Sequence, residues 1–237
     1  MPRRAHAYRS ISQPTRLRLL HEVQRRPGLF AQDLAARLSV PLNTVRDHLA
    51  VLAAEGLIVG EPQHRASRGR PAIAYRPVVD RDESPKAAKR IADAERRGAL
   101  LRAAIGEPSR SSANDEGAIR QLDVLYEHLD EVGLQPRVDE DALAIELAPC
   151  ALYAAGDDYE TACQVHACLV KDLLRQTSGP LSLDRVEPFV TPSQCRLTLR
   201  RAEAGGAPTS SGPRAGGGMP HDQLVVQRGA GAEEATG

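Results

Sequence analysis

Residues 31–76, AQDLAARLSVPLNTVRDHLAVLAAEGLIVGEPQHRASRGRPAIAYR, constrain the fold of this chain more than any other stretch. Leu34, Ala35 and Leu38 recur at three- and four-residue spacing, which predicts a helix over Ala31–Leu38 with one apolar face. Ser39, Val40 and Pro41 leave room only for a tight turn, and Pro41 suits a helix opening, where its missing N–H costs nothing. A second helix is predicted to about Glu55, with Leu42, Val45, Leu49 and Leu52 as its buried stripe. Gly56 then provides the residue that ends it. Two helices joined by so short a turn cross steeply and leave the outer face of the second free for a major groove.

Leu57-Ile58-Val59 and Ile73-Ala74-Tyr75 read as two short strands. Between them QHRASRGRP carries Arg65, Arg68 and Arg70 and no acid. A hairpin tip with this much uncompensated charge suits phosphate oxygens or a narrow minor groove. The pattern is that of a winged helix-turn-helix. On its recognition helix Asn43, Thr44, Arg46 and His48 lie on or near the outward side. Arg46 is the best candidate for a bidentate contact to guanine and Asn43 for one to adenine. Asp47 reads instead as a helix-surface residue or an internal partner of an arginine.

The 31 basic and 31 acidic side chains balance to zero, but they are unevenly placed. Residues 1–79 hold thirteen arginines and no lysine against five acids, whereas the remainder holds eighteen basic and twenty-six acidic residues. The basic part coincides with the predicted winged helix, the electrostatic footprint that a DNA-binding module needs. The acidic part does not suit a second nucleic-acid surface. Only seven Phe and Tyr and no Trp are present, which argues against single-strand recognition by base stacking. No apolar run approaches the roughly 18–20 residues that span a membrane. The basic start MPRRAHAYRS also lacks the apolar stretch of a secretory signal. A cytoplasmic protein with no membrane partner is expected. Its four cysteines are then thiols or metal ligands rather than disulfides.

The organisation expected is α+β. Residues 1–79 form the winged helix, opening with a helix through Leu17, Leu19, Leu20 and Val23. Residues 80–117 form a linker whose helix, from Lys86 to Ile105, offers Ala88, Ile91, Ala92, Ala94, Leu100 and Leu101 for burial and helps dimerise. Residues 118–200 form a small sensor domain. Its first helix, from Ala118 to Val132, carries Ile119, Leu122, Leu125, Tyr126 and Leu129 at helical spacing. A strand over 142–147, a helix over 157–176, and strands over 181–186 and 196–199 complete it. The Gly-, Ala-, Pro- and Ser-rich residues 201–237 are expected to be disordered.

Cys150, Cys163, Cys168 and Cys195 all lie in the predicted sensor domain. Cys150 follows a strand, Cys163 is inside a helix and Cys195 begins or precedes a late strand, so three elements could converge. Cys163 and His166 are three apart and share a helical face. Cys168 lies about 140° around from Cys163 and should point elsewhere. Spacing therefore favours Cys150, Cys163 and Cys195 as a metal-ligand set, with His166 the nearest candidate fourth ligand. Unrelated buried thiols are the plain alternative. Soft thiolates suit an iron–sulfur cluster, with zinc the lesser choice.

The order of winged helix, linker helix, LYEHLDEVGLQPRVD, a strand ending LAPC, a helix with C-x2-H, and a late strand preceded by Cys resembles the SufR-type regulators. These belong to the ArsR/DeoR-like winged-helix group, and the resemblance runs from about Ser10 to Leu199. It implies a dimeric transcriptional regulator with an iron–sulfur cluster held by Cys150, Cys163 and Cys195. The chain departs from the group in that ALYAAGDDYETA, between Cys150 and Cys163, has no histidine. Nor is a fourth cysteine ligand supplied.

The function expected is a homodimeric regulator of a double-stranded DNA operator, acting as a repressor. Cluster occupancy would fix the sensor domain and, through the linker helix, the spacing of two recognition helices. One alternative is a winged-helix regulator without a cluster that senses an organic ligand in its C-terminal domain. An enzyme using Cys163 and His166 as a thiol–imidazole pair ranks last. The two share one helix, and no third orienting group or catalytic motif accompanies them.

Overall fold

The computed structural model describes residues 13–63, 71–105, 116–139, 141–148, 158–191 and 194–202. The fold is α+β. Helix α1 (Pro14–Arg25) leads to a two-residue strand β1 (Leu29–Phe30), then α2 (Ala31–Leu38), α3 (Leu42–Ala54), β2 (Ile58–Gln63) and β3 (Ala72–Pro77). Pro14 opens α1, where a missing N–H is harmless. Helix α2 is started by Asp33, whose carboxylate accepts the Phe30 N–H at 3.0 Å, and ends at Ser39 in the left-handed region (φ 52°). Gly56, also left-handed at φ 70°, follows the C-terminus of α3. A Cβ there would lie 2.7 Å from Ser84 Oγ and 3.1 Å from the Ala87 main-chain nitrogen, so the close approach demands glycine.

The three short strands form an antiparallel sheet in the order β1-β3-β2. The pair Leu29–Phe30 was not anticipated, because two residues carry no periodicity. Pairing of Gln63 with Ala72 closes the hairpin on the loop that bears Arg65, Arg68 and Arg70. That loop lies outside the described residues. Arg76 on β3 bridges Glu61 of β2 at 2.6 Å and Glu83 at 2.9 Å. Glu83 sits in a short 3-10 turn over Arg81–Glu83, which ties the wing to the connector.

Helix α4 (Pro85–Ile105) buries Ala87, Ile91 and Ala94. Leu100 and Leu101 depart from expectation, since they are 65% and 55% exposed among the described residues. Ala92 is exposed as well. Helix α5 (Glu116–Glu131) is tied to α4 by Arg97–Glu127 at 2.7 Å and by an Arg102–Asp123 ion pair. Tyr126 is 43% exposed rather than part of the buried stripe.

A four-stranded antiparallel sheet follows in the order β4-β5-β7-β6, built from β4 (Gln135–Asp139), β5 (Ala144–Ala148), β6 (Leu181–Thr191) and β7 (Gln194–Arg201). Helix α6 (Tyr159–Gln176) intervenes. Strand β4 and the second half of β6 go beyond the sequence reading. Each contains a proline, Pro136 or Pro188, which argues against a strand except at a sheet edge, and both strands are edges. The predicted disorder of 201–237 falls, from residue 203 on, outside the described residues.

Two hydrophobic cores organise the molecule. One joins Ile91, Ala94, Leu125, Leu129, Ile145, Leu147, Ala167, Val170, Leu174, Cys195 and Leu197. The other joins Leu17, Leu19, Leu20, Val23, Leu34, Val45, Leu49 and Leu52 of the winged helix with Ala162, Val165 and Leu169 of α6. Helix α6 thus serves both. Gln121, only 1% exposed, pins the far end of the first core: its Nε2 donates to Leu174 O and Leu181 O at 2.8 and 2.9 Å, and its Oε1 accepts from Leu181 N at 2.7 Å.

Candidate nucleic-acid interface and thiol core

Helix α3 sends Val45, Leu49 and Leu52 inward, each fully buried. By helical periodicity Asn43, Arg46, Asp47 and Ala50 then face outward, and all four are exposed, while Thr44 and His48 are half-buried at the margins. Arg46 reaches back one turn to Asn43 Oδ1 at 3.4 Å, a long contact that a base edge can replace. Burial raises the Tyr75 hydroxyl of β3 above its ordinary value, and the charge of Arg46 partly opposes this. His48 is held below the usual histidine range, first by burial and then by the nearby Arg16 guanidinium, with Asp47 opposing. A neutral imidazole follows near pH 7. Asp47 lies on the exposed surface, as expected.

The thiols fall into three situations. Cys150 lies outside the described residues. Cys163 and Cys195 are 5% and 6% exposed. Cys195 is the second residue of β7 and sits opposite Leu147 of β5. On α6 the positions 163, 167, 170 and 174 fall on one face. Ala167, Val170 and Leu174 of that face belong to the same core as Cys195. By helical periodicity Cys163 falls on the face of α6 that carries these residues. Cys168 is elsewhere, as its helical angle requires; burial, helped by Asp172, pushes its thiol up to about 11. It remains protonated near neutrality.

His166 is 8% exposed, and burial brings it down to about 4. Its Nε2 has no hydrogen-bond partner among the described residues. The ring stacks on His128 of α5, with centroids 5.6 Å apart and planes at 26°. His128 lies well below its ordinary value, through burial first, then the neighbouring His166 and Arg90. Sequence reasoning missed this residue. The signal was there: Gln121, Leu125 and His128 follow helical spacing, so a histidine falls on the inward stripe of α5. Among the described residues no group of three His, Cys, Asp or Glu side chains stands together as a metal site.

Three helices, a β-hairpin and an outward-facing polar and basic recognition helix define a winged helix-turn-helix DNA-binding domain. Comparison with protein families agrees: residues 11–61 match the model described as a helix-turn-helix domain. The chain accordingly carries a helix-turn-helix DNA-binding domain, which supports a DNA-binding transcriptional regulator. No curated protein matches it. Among the described residues no helix is long and apolar enough to cross a membrane.

Proposed function

We propose that the chain is a homodimeric repressor in which Cys150, Cys163 and Cys195 hold an iron–sulfur cluster, on the pattern of the SufR-type regulators. The observation that supports this is the burial of both Cys163 on α6 and Cys195 on β7, two elements far apart in sequence. Thiolates so placed fit a cluster better than an exposed pair would, since excluding water protects the group. Cys150 is three residues from Leu147, the strand partner of Cys195, and an extended chain spans at most about 3.3–3.6 Å per residue. His166 is neutral near pH 7 and so is in the state a ligand requires. When bound, a cluster supplies an oxidation-sensitive link between elements. The chain's own contribution is to bring the thiols together and keep them dry.

Asn43, Thr44, Arg46 and His48 would read the operator, with Arg65, Arg68 and Arg70 on phosphate or in the minor groove. The exposed Leu100 and Leu101 supply an apolar face for a second copy. For the organic-ligand alternative, the cavity where the winged helix meets α4 and α6 offers about 10 Å³, room for roughly one water molecule. That cavity is too small for an organic effector, so this reading would need another site in the C-terminal domain. The thiol–imidazole enzyme reading loses support, because Cys163 and His166 are both buried.

An anaerobic absorbance spectrum with iron and sulfide counted per chain tests the cluster. Broad visible absorption with stoichiometric iron, lost in Cys163→Ser and Cys195→Ser, is expected. A colourless, iron-free protein that resists reconstitution would overturn the cofactor and leave the DNA-binding reading intact.

A further inference from the structure

Helix α6 is built into the DNA-reading unit as firmly as into the C-terminal core. Arg18 of α1 holds both carboxylate oxygens of Asp158, the residue just before α6, at 2.9–3.2 Å. One turn on, His21 Nε2 lies 2.7 Å from Gln164 Oε1. Gln24, 1% exposed, donates to the Val165 carbonyl at 3.4 Å. Arg18, His21 and Gln24 are three apart on one stripe of α1 and meet α6 along it. Beneath them Ala162, Val165 and Leu169 are buried among the same side chains that seat α3. The opposite side of α6 carries Cys163, Ala167, Val170 and Leu174 toward the sheet, and His166 toward His128 of α5. At its C-terminal end Gln176 donates to Val78 O, just beyond the wing strand.

We infer that the regulatory signal passes through the contact of α6 with α1, and from α1 to the recognition helix. A rigid helix shared by two close-packed cores cannot rotate or slide in one without disturbing the other. Helix α1 in turn shares its core with α3, and Arg16 acts electrostatically on His48. Any event that resets the thiol-bearing face of α6 therefore reaches α3 through one intermediate helix. This rests on the reading of the chain as a DNA-binding regulator with a C-terminal sensor, but not on the identity of the sensed group.

Energetic coupling between two sites is reciprocal, so DNA bound at α3 must alter the opening of the α6 layer. The test uses full-length, iron-free protein and a duplex that the protein itself selects from a random 20-bp pool. The alkylation rate of Cys163 by N-ethylmaleimide is read by peptide mass spectrometry, with and without saturating duplex. Coupling of ordinary strength predicts a change of about fivefold or more in the unaltered protein. The change should shrink to near unity in Arg18→Glu and in Asp158→Arg, and return in the double variant that restores the pair with reversed charges. Gln164→Ala, which leaves the ion pair intact, should show a partial loss. Equal changes in all variants, no change in the unaltered protein, or no rescue in the double variant would each overturn the route. Absence of any duplex binding would overturn the DNA-binding reading itself, and this inference with it. A bound duplex without coupling would overturn the route alone.

Discussion

Arg46 and Arg68 are both arginines of the basic half, yet their expected contributions to DNA binding differ. Arg46 stands on the outward face of α3, one turn from Asn43, where a fork of donors can match a guanine edge. Arg46→Ala should relax sequence preference at one base pair, at a cost of ~1–3 kcal/mol, as read by competition between duplexes differing at single positions. Arg68→Ala should weaken all duplexes alike and lower the salt slope by about one, as a lost phosphate contact does. Equal loss of specificity from both would remove this division of labour. The outward set on α3 was legible in the sequence, because a helix with Val45, Leu49 and Leu52 inward has only one arrangement for the rest. His128 was not read out, although its spacing from Gln121 and Leu125 placed it inward, because a lone histidine on a helix is usually solvated.

Within α6, two buried groups titrate in opposite senses. Burial raises Asp172 from 3.8 to about 7, with Arg175 and Lys171 only partly offsetting it. The folded chain therefore holds this proton where the unfolded chain has lost it. Its contribution to stability is fully present below about pH 4 and is lost as the pH rises through about 7. His166 runs the other way: lowered from 6.5 to about 4, it costs stability as the pH falls through that interval. Asp172→Asn should thus stabilise the protein more at pH 8 than at pH 5, seen as a larger shift of the urea midpoint at the higher pH. A shift independent of pH would contradict the raised carboxylate. Helix α5 makes a second element-scale case. Gln121→Leu leaves two carbonyls and one N–H near Leu174 and Leu181 without their side-chain partner, and each such buried group costs about 1–3 kcal/mol. A loss of roughly 3 kcal/mol or more in chemical denaturation is expected; a neutral outcome would mean that the three hydrogen bonds are replaced.

At the scale of the whole molecule, Leu100 and Leu101 are the clearest unfinished surface on α4. Replacing both with glutamate should shift the protein toward monomer in sedimentation experiments. Operator affinity should fall with it, because two half-sites would no longer be bound together. An unchanged mass would count against the proposed dimer through this face. The two cores also bear on how the parts communicate. The linear order of the chain suggests that 80–117 connects the DNA-reading and C-terminal parts, since it lies between them. In the folded molecule α6, more than 130 residues beyond α1, touches it directly.

The winged helix was determined by local rules that the sequence states outright. Apolar side chains recur at helical spacing, Pro41 and Gly56 bound the recognition helix, and an arginine-rich tip separates two short strands. The placement of Cys163 on a different face from Cys168 followed from the same 3.6-residue period. Local rules do not extend to partners distant in the chain. That strand β4 and the end of β6 tolerate a proline depends on their being edges, which is a property of the sheet. That Leu100 and Leu101 are exposed among the described residues depends on which elements pack against α4. That α6 belongs to two cores depends on which helix lies against each of its faces. Periodicity tells which faces of a helix are apolar, but only the tertiary structure decides what each face meets.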